Sequence, residues 1–469
     1  MERIQNLKSN VWVDGEKVTD VTTHRAFQGV IKSQASLYDL QHDPTIKDIM
    51  TFKSPTTGNR IGTSFLRPLT KEDLEKRRKM VQYWAKTSAG MMGRSPDYMN
   101  TNLMALAAAN SLLDAQGSLF AENLANFYEH AREHDLSFTH TFVTPQVNRS
   151  ELYYESEERI VAARIVEKNA DGIVIKGARL LATQGGITDE IIVSSSGLKM
   201  FDEPFAYFFS IPSNTDGLKF LCREPFSYRS STWDHPLGAR FEEMDAIVTF
   251  DSVLVPWERV FVVENVEVAN TLYTESSYKQ LVLHQVVSRQ VEKTAFILGL
   301  AQAIVDTIAI GEYQHVREKI VEIIAFYESM KSLLLASEIH ASFDKWGTMV
   351  PDLNPLAAAI TLYPKQYPRL VEIVQLLGAS GLVSIPTEKD FCSPIKEDVK
   401  QYMQAATCDA TAKVKLFRLA WDATMSAFGS RQTLYERFFF GDPVRFVHGT
   451  YREYDRKEFV DDIYKFLEK

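Results

Sequence analysis

The hydrophobic pattern of the first third of the chain is typical of amphipathic helices. Segment 101–116 is rich in Ala and Leu, which favour helix formation. Segments 64–86 and 118–134 also carry apolar residues at helical spacing. In the last of these segments the spaced residues are Leu119, Phe120, Leu124 and Phe127. This part of the chain is therefore expected to be helical.

The pattern changes near Leu136. Up to about Val268 the chain shows short β-branched and aromatic runs, such as IVIKGARLLAT, FAYFFSIP and DAIVTFDSVLVP. Turn sequences separate them, including NADG at 169–172 and NTDG at 214–217. Short alternating runs bounded by such turns predict an antiparallel sheet. The number and spacing of the runs favour a β-barrel or a β-sandwich domain, and we take the barrel as the prediction.

Beyond Asn270 the helical period returns. The patterns cover 281–310, 313–340, 370–377 and 397–426, and together they predict a four-helix bundle. The proline-containing stretches 351–355 and 364–368 predict loops between these helices.

The chain is thus expected to be α+β with its helices and strands segregated. The predicted domains are an N-terminal mainly helical domain over 1–136, a central β-barrel domain over 137–268, and a C-terminal helical bundle and tail over 269–469. Such segregation excludes Rossmann folds and TIM barrels, in which strands and helices alternate.

Composition narrows the class of protein. The chain has 469 residues, of which 45% are hydrophobic and 24% charged, so it is neither disordered nor collagenous. Its 52 basic and 61 acidic residues give a net charge of −9, which argues against binding nucleic acid or an anionic membrane surface. No run of about 18 apolar residues predicts a membrane span. The N-terminus lacks an apolar signal core, and the 3 cysteines form no C-x-x-C pair, so a cytoplasmic protein is expected.

Several familiar motifs are missing or ambiguous. The sequence contains no G-x-G and no G-K, which excludes the dinucleotide fingerprint and the P-loop. Residues His130–His134 match H-x-x-E-H, a zinc-peptidase pattern, but a polar helix end is the simpler interpretation. Residues Ser196–Lys199 match S-x-x-K without the K-T-G and S-D-N partners of that chemistry, so a turn is favoured.

Polar residues suited to catalysis or ligand binding are concentrated in a few blocks of the sequence. GRSPDY places Arg94, a planar set of donors suited to a phenolate, and the Tyr98 hydroxyl just before a helix. THTFVTPQVNR places His140 at the entrance to the predicted β domain, and LLATQGGITD carries Thr183. QLLGASG and YERFFFGDPVR follow near the C-terminus.

Taken together, these blocks resemble one family over nearly the whole chain. TFKSPTTGNRIGTSFLRP, GRSPDY, THTFVTPQVNR, LLATQGGITDEIIV, VPWERVF, HQVVSRQVEKTAFILGLAQ and FGDP occur in the order seen in oxygenase components of 4-hydroxyphenylacetate 3-monooxygenase. The resemblance implies an acyl-CoA-dehydrogenase-like fold and a homotetramer. It also implies FAD, supplied in reduced form by a separate NAD(P)H-flavin reductase. Through a flavin hydroperoxide, O2 would hydroxylate a phenol ortho to its hydroxyl, with 4-hydroxyphenylacetate giving 3,4-dihydroxyphenylacetate.

The resemblance also assigns roles to residues. Arg94, Tyr98 and His140 match the set that holds the phenol hydroxyl, and donors there would make the ortho carbon more nucleophilic. Positions matched near the substrate tail are Ser195 and Ser196. Positions matched to flavin binding are His140, Thr141, Phe142, Gln146, Val147, Asn148, Arg149 and Thr183, with Gln375, Gly378, Gly441, Asp442 and Pro443 reaching the FAD of a neighbouring subunit.

Each of these residues also has a structural interpretation. Arg94 would ion-pair with Asp97 or another loop carboxylate, Tyr98 would be a core aromatic at a helix entry, and Thr183 would be an ordinary strand residue.

Alternative functions remain within the same kind of chemistry and outside it. A monooxygenase of another phenol, such as a chlorophenol, and an acyl-CoA-dehydrogenase-type flavoenzyme both fit the expected fold. A 4-hydroxybutyryl-CoA dehydratase needs cysteine ligands for an iron–sulfur cluster, and the chain has no cysteine near Met99 or Leu103. A catalytically silent scaffold is the alternative from a different class of protein.

Overall fold

The computed structural model describes residues 1–147, 160–194, 202–226 and 231–468. Helices form most of the first and last parts of the chain, as the hydrophobic period predicts. In chain order the helices of the described residues are α1 (Glu2–Leu7), α2 (Gln28–Asp39), α3 (Lys47–Met50), α4 (Lys71–Thr87), α5 (Pro96–Ala108), α6 (Ser118–Glu133), α7 (Gly238–Phe241), α8 (Val266–Glu275), α9 (Tyr278–Thr307), α10 (Gln314–Ile339), α11 (Leu353–Gly378), α12 (Lys396–Tyr402), α13 (Ala410–Thr424), α14 (Ala427–Phe438), α15 (Pro443–Glu453) and α16 (Lys457–Leu467). Among these described helices, none combines the length and apolarity needed to cross a membrane.

Most strands lie in the middle of the chain. The strands of the described residues are β1 (Val11–Val13), β2 (Glu16–Lys17), β3 (Thr51–Lys53), β4 (Arg60–Gly62), β5 (Phe138–Thr141), β6 (Arg164–Lys168), β7 (Gly172–Thr183), β8 (Glu190–Val193), β9 (Tyr207–Pro212), β10 (Leu218–Cys222), β11 (Asp245–Pro256), β12 (Val260–Val263), β13 (Ser342–Phe343) and β14 (Met349–Val350). The order helical, β, helical agrees with the predicted α+β class.

The central strands do not close into a barrel within the described residues. They form a six-stranded sheet, β2-β1-β10-β11-β7-β6, and a four-stranded sheet, β12-β9-β8-β5. Most neighbours are antiparallel, but β1 pairs with β10 and β5 with β8 in parallel. The predicted barrel is therefore wrong. The spacing of the central strands does not reveal that β1, from the N-terminus, pairs with β10.

The two predicted turns have different outcomes. NADG connects β6 to β7, which pair antiparallel as a hairpin, so this prediction is confirmed. NTDG follows β9 and precedes β10, which belong to different sheets, so it makes a crossing between sheets rather than a hairpin. Gly217 there has a φ of +83°, a left-handed conformation that favours glycine.

The predicted loops at 351–355 and 364–368 are wrong in large part. Helix α11 runs through Pro364 and Pro368, and it buries Tyr363 and Tyr367 beside them. A proline inside a helix removes one backbone hydrogen bond, but packing of an apolar face against α9, α10 and α14 outweighs that loss here. The predicted helix 397–426 is also divided, into α12 and α13.

Helix α9 lies at the centre of the helical part and carries charges in its buried face. Arg289 and Lys293 are fully buried and both bind Glu436 of α14, at 2.7 and 2.8 Å. Arg289 also donates to the carbonyl of Gly90, at 2.9 Å. Lys293 donates to Gln432, whose amide in turn donates to the carbonyl of Met91, at 2.9 Å. The two cations outweigh the effect of burial and hold the pKa of Glu436 below its usual value. This network joins α9 and α14 to the loop that precedes α5.

Replacing the shared carboxylate should destabilise the fold strongly. Glu436→Gln leaves Arg289 and Lys293 buried without a counter-charge, and breaking such a buried pair costs about 3–5 kcal/mol. We expect the free energy of unfolding in urea to fall by that amount. Glu328→Gln is the matched control, because the Glu328–Lys331 pair is about half exposed and its loss should change stability by less than ~1 kcal/mol. Equal stability of the two variants would contradict a structural role for the buried network.

Candidate functional site

The GRSPDY block forms the loop that leads into α5. Ser95 is the residue before the helix, and Pro96 occupies its first turn, where a missing N–H costs nothing. The buried Asp97 carboxylate accepts a hydrogen bond from the Ser95 hydroxyl at 2.6 Å and another from Gln285 of α9 at 2.8 Å. These contacts fix the first turn of α5 and orient Tyr98 into the interior.

Three of the residues predicted to hold a phenol meet in one buried place. The guanidinium carbon of Arg94 lies 4.0 Å from the centre of the Tyr98 ring. The rings of Tyr98 and His140 are 5.6 Å apart. Phe439, at the end of α14, closes the group, with its ring 4.1 Å from the Arg94 guanidinium and edge-on to Tyr98 at 5.5 Å. The alternative in which Arg94 pairs with Asp97 does not hold, because Asp97 is bound by Ser95 and Gln285.

Two polar atoms of this group have no hydrogen-bond partner within the described residues. They are Nη1 of Arg94 and Nδ1 of His140, and both are buried. The other terminal nitrogen of Arg94, Nη2, donates to the carbonyl of Phe439 at 3.1 Å. Burial, and then the charge of Arg94, hold the pKa of His140 well below its usual value. The site therefore offers one fixed positive charge and one neutral imidazole, each with an atom available to a ligand.

The β sheets position the second half of this site. His140 lies on β5, and its ring contacts that of Phe142 at 4.4 Å between centres. The Thr139 hydroxyl donates to the carbonyl of Thr183 at 2.8 Å, which ties β5 to the end of β7. The Thr183 hydroxyl donates to Asp245 at 3.0 Å. His140 and Thr183, widely separated in sequence, are thus held on adjoining strand ends.

Exposed apolar side chains lie next to this pair of strands. Val143 pairs with Leu180 across a β-bridge, and Val143, Val147 and Leu181 are between 36% and 53% exposed. Because such residues are more often buried, their exposure beside these strands is compatible with a ligand that covers them.

The other predicted site residues are more dispersed. Thr141 is buried on β5, Phe142 is partly buried and Gln146 is exposed. Gln375 and Gly378 lie at the C-terminal end of α11, where Gln375 donates to the carbonyl of Thr424. The segment Gly441–Pro443 begins α15 and follows Phe439 by two residues, with Asp442 as the N-cap. The predictions for Asn148, Arg149, Ser195 and Ser196 lie outside the described residues.

A set of buried polar residues next to Arg94 and Thr183 was not predicted from the sequence. The carboxylates of Glu243 and Asp245, at the start of β11, contact Gln184 and Arg431, among others. Arg431 binds Asp245 through two hydrogen bonds of 2.6 Å. The signal was the acidic run FEEMD at 241–245 directly before an apolar strand, since buried carboxylates need partners.

Residues His130–His134 do not form a zinc-type arrangement. Glu133 binds the hydroxyls of Ser54 and Thr57 and the guanidinium of Arg132. In the described part of the chain, no three His, Cys, Asp or Glu residues are grouped so as to hold a metal ion.

Comparison with known proteins gives a consistent result over the full chain. The family profile described as "4-hydroxyphenylacetate 3-hydroxylase N terminal" matches residues 1–262, and the corresponding C-terminal profile matches residues 269–468. A probable 4-hydroxyphenylacetate 3-monooxygenase of Bacillus subtilis is 51% identical, covering 100% of this chain and 97% of its own. The 4-hydroxyphenylacetate 3-monooxygenase oxygenase component of a Geobacillus species is 50% identical, with 100% and 95% covered.

A solved structure agrees with these relatives. The crystal structure of a 4-hydroxyphenylacetate 3-monooxygenase oxygenase component, complexed with FAD and 4-hydroxyphenylacetate, has a TM-score of 0.95 and 43% sequence identity. The match covers 100% of this chain and 97% of that one. Since two profiles and close relatives span the chain from end to end, this protein belongs to the 4-hydroxyphenylacetate 3-hydroxylase family.

Proposed function

We propose that this protein is the oxygenase component of a two-component aromatic monooxygenase. It hydroxylates 4-hydroxyphenylacetate ortho to the phenol hydroxyl, giving 3,4-dihydroxyphenylacetate. One O2 is consumed and one oxygen atom leaves as water, with electrons from reduced FAD that a separate flavin reductase supplies. The observation that carries the proposal is the convergence of Arg94, Tyr98 and His140 in one buried place, with Arg94 Nη1 and His140 Nδ1 free to bind a phenol.

The chain's own residues activate the phenol. His140 is neutral near pH 7, because burial and Arg94 lower its pKa, so its Nδ1 can accept the phenol proton. Arg94 Nη1 then donates to the phenolate oxygen and stabilises its charge in a place from which water is excluded. The Arg94 guanidinium carbon lies 4.0 Å from the centre of the Tyr98 ring, so a cation–π contact helps to hold Arg94 in place. A phenolate pushes electron density onto the ortho carbon, which is the atom that is hydroxylated.

The residues beside this triad fit FAD. The flavin, when bound in reduced form, supplies the activated oxygen. The exposed apolar residues Val143, Val147 and Leu181 offer a surface for a planar ring system. The Thr183 hydroxyl donates a hydrogen bond to Asp245, and its oxygen keeps lone pairs that can accept a hydrogen bond from a ring N–H. We assign residues 140–142, residues 146–149 and Thr183 to the flavin, and Gln375, Gly378 and Gly441–Pro443 to the FAD of a neighbouring copy.

The basic test is product formation with externally reduced FAD. The purified chain, mixed with photoreduced FAD, 4-hydroxyphenylacetate and O2, should yield 3,4-dihydroxyphenylacetate, measured by chromatography. Arg94→Met removes the donors but keeps the length of the side chain, and we expect kcat/KM to fall by about 10²–10³-fold. Arg317→Met, at an exposed ion pair, is the control and should retain activity. Oxidation of the flavin without any hydroxylated product, for this and related phenols, would exclude the proposed reaction.

A second prediction concerns the proton acceptor. His140→Asn should lower kcat/KM by about 10²-fold or more, whereas His134→Asn, at the exposed end of α6, should not. Because the folded pKa of His140 lies well below 6.5, its neutral form persists as the pH falls, and activity is lost only when the pH drops through that lowered value. The profile of kcat/KM for the wild-type chain should therefore show no inflection from this group between about pH 6 and 8. An inflection near 6.5 that disappears in His140→Asn would contradict the neutral-base role.

We further propose a cytoplasmic homotetramer. The support for the location is that Cys222, Cys392 and Cys408 are all free thiols, as a reducing compartment allows. The support for assembly is that α15 and α16 contain no buried residue but expose a row of apolar side chains. Those more than 50% exposed include Val444, Tyr451, Phe459, Ile463, Tyr464, Phe466 and Leu467. Contact with other copies would cover this surface.

Disrupting the apolar surface should change the size of the assembly. Phe459→Ser combined with Ile463→Ser removes two apolar side chains from one face of α16, and we expect a smaller species by light scattering after gel filtration. Val321→Ser, at a site 59% exposed on α10, is the control and should leave the mass unchanged. A tetramer that persists in the α16 variant would show that this helix is not part of the interface.

A further inference from the structure

The proposed phenol site is assembled from parts of the chain that are far apart. Arg94 and Tyr98 belong to α5 and the loop before it, whereas His140 and Thr183 lie on strands of the two sheets. Hydroxylation at a defined ring carbon requires these halves to keep a fixed separation, because a misplacement of about 1 Å lowers rates by roughly 10²-fold. Some contact must therefore hold the loop against the sheets.

Glu243 makes that contact. Its side chain is fully buried, and its carboxylate oxygens accept hydrogen bonds from the backbone N–H of Gly93 at 3.0 Å and of Arg94 at 2.7 Å. A third bond, of 2.8 Å, comes from the amide nitrogen of Gln184, which follows Thr183 directly. The same Gln184 nitrogen also donates to the carbonyl of Arg94, at 3.0 Å.

Both backbone groups of Arg94 are thus bound by residues from the sheets. The N–H is held by Glu243 and the carbonyl by Gln184, while Gln34 of α2 donates to the oxygen of Gln184 and fixes the orientation of its amide. Within the described residues, Nη1 of Arg94 is buried without a partner, and the place where the backbone is held helps to set the direction of this donor.

Close packing around Gly93 restricts the conformation of the loop before α5. A side chain at Gly93 would meet the Tyr435 ring, since a Cβ there lies 2.4 Å from its Cε1 atom and 2.9 Å from Phe439 Cε2. Gly93 is therefore pressed between α14 on one side and the Glu243 carboxylate on the other.

We propose that Glu243 is a positioning residue for the hydroxylation, which sets the place of Arg94 relative to His140 and Thr183. The role in hydroxylation rests on the proposed function, whereas the hydrogen bonds of Glu243 do not depend on it. Three N–H donors converge on the carboxylate and favour its charged form, but burial outweighs them and the nearby charge of Arg431 and raises the pKa of Glu243. A carboxamide in its place has only one acceptor oxygen, so at least one donor of the three would face an NH2 group.

The first experiment measures the contact independently of activity. Hydrogen exchange of peptides covering residues 91–98 is compared in the FAD-loaded wild type and in Glu243→Gln. We expect exchange of at least one of the Gly93 and Arg94 amides to accelerate by about tenfold or more in the variant, because the two amides bind different oxygens and a carboxamide keeps only one. Glu242→Gln is the matched control: this neighbouring buried carboxylate binds Arg223 and the N–H of Phe226 instead. Unchanged exchange in Glu243→Gln would overturn the proposal.

The second experiment separates positioning from simple stability. In Glu243→Gln we expect KM for 4-hydroxyphenylacetate to rise and the ratio of product to FAD oxidised to fall, each by about fivefold or more, with reduced FAD bound as in the wild type. In an Arg94→Met background the same change should have less than about a twofold effect, since Glu243 acts through Arg94. Equal losses in both backgrounds would mean that Glu243 only stabilises the fold.

The outcomes also distinguish this proposal from the proposed function. If the wild type forms no catechol, the reaction assignment fails, and equilibrium binding of 4-hydroxyphenylacetate to the FAD-loaded variants replaces the kinetic comparison. Faster exchange together with unchanged phenol binding and turnover would overturn the positioning role while leaving the reaction in place.

Discussion

Burial of charge in the middle of the helical part is the constraint on which the site depends. Arg289 and Lys293 of α9 share one carboxylate, Glu436, in a region without access to water. Ions in such a place must keep partners with good geometry, so the crossing of α9 and α14 has little freedom. Because Arg289 and Gln432 also bind the carbonyls of Gly90 and Met91, that crossing fixes the start of the loop that carries Arg94.

The crossing of α9 and α14 is connected to the proposed site in two ways. Through α14, Phe439 reaches the Arg94 guanidinium and the Tyr98 ring. Through the sheets, Asp245 binds both Thr183 and Arg431, so the strand that is proposed to meet the flavin is tied back to the same helix. The proposed phenol site thus lies where three parts of the chain are joined by buried hydrogen bonds rather than by apolar packing alone. Within the described residues, this arrangement leaves Arg94 Nη1 and His140 Nδ1 buried and unpaired.

Local patterns in the sequence predicted the order of the helical and β parts, but they did not predict which strands pair or which helices pack together. The hydrophobic period identified the helical and β parts correctly, because it reflects which face is buried. The barrel and the loop at Pro364–Pro368 were wrong, since β1 pairs with a distant strand and since burial of Tyr363 and Tyr367 outweighs the cost of proline in α11. Arg94, Tyr98 and His140 were identified by resemblance to a family, whereas composition alone leaves each of them with a structural interpretation. Glu243 was missed because two of its partners are backbone N–H groups 149 and 150 residues away in the sequence, which side-chain patterns do not show.

The bond between Arg94 and the carbonyl of Phe439 joins residues that are 345 positions apart, and this has a consequence for how the protein is made. Translation at about 5–20 residues per second delivers Phe439 roughly 17–70 s after Arg94. Throughout that interval the nascent chain holds a guanidinium whose final surroundings do not yet exist. The surroundings of Arg94 seen in the structure are therefore completed only when the last helices have been synthesised.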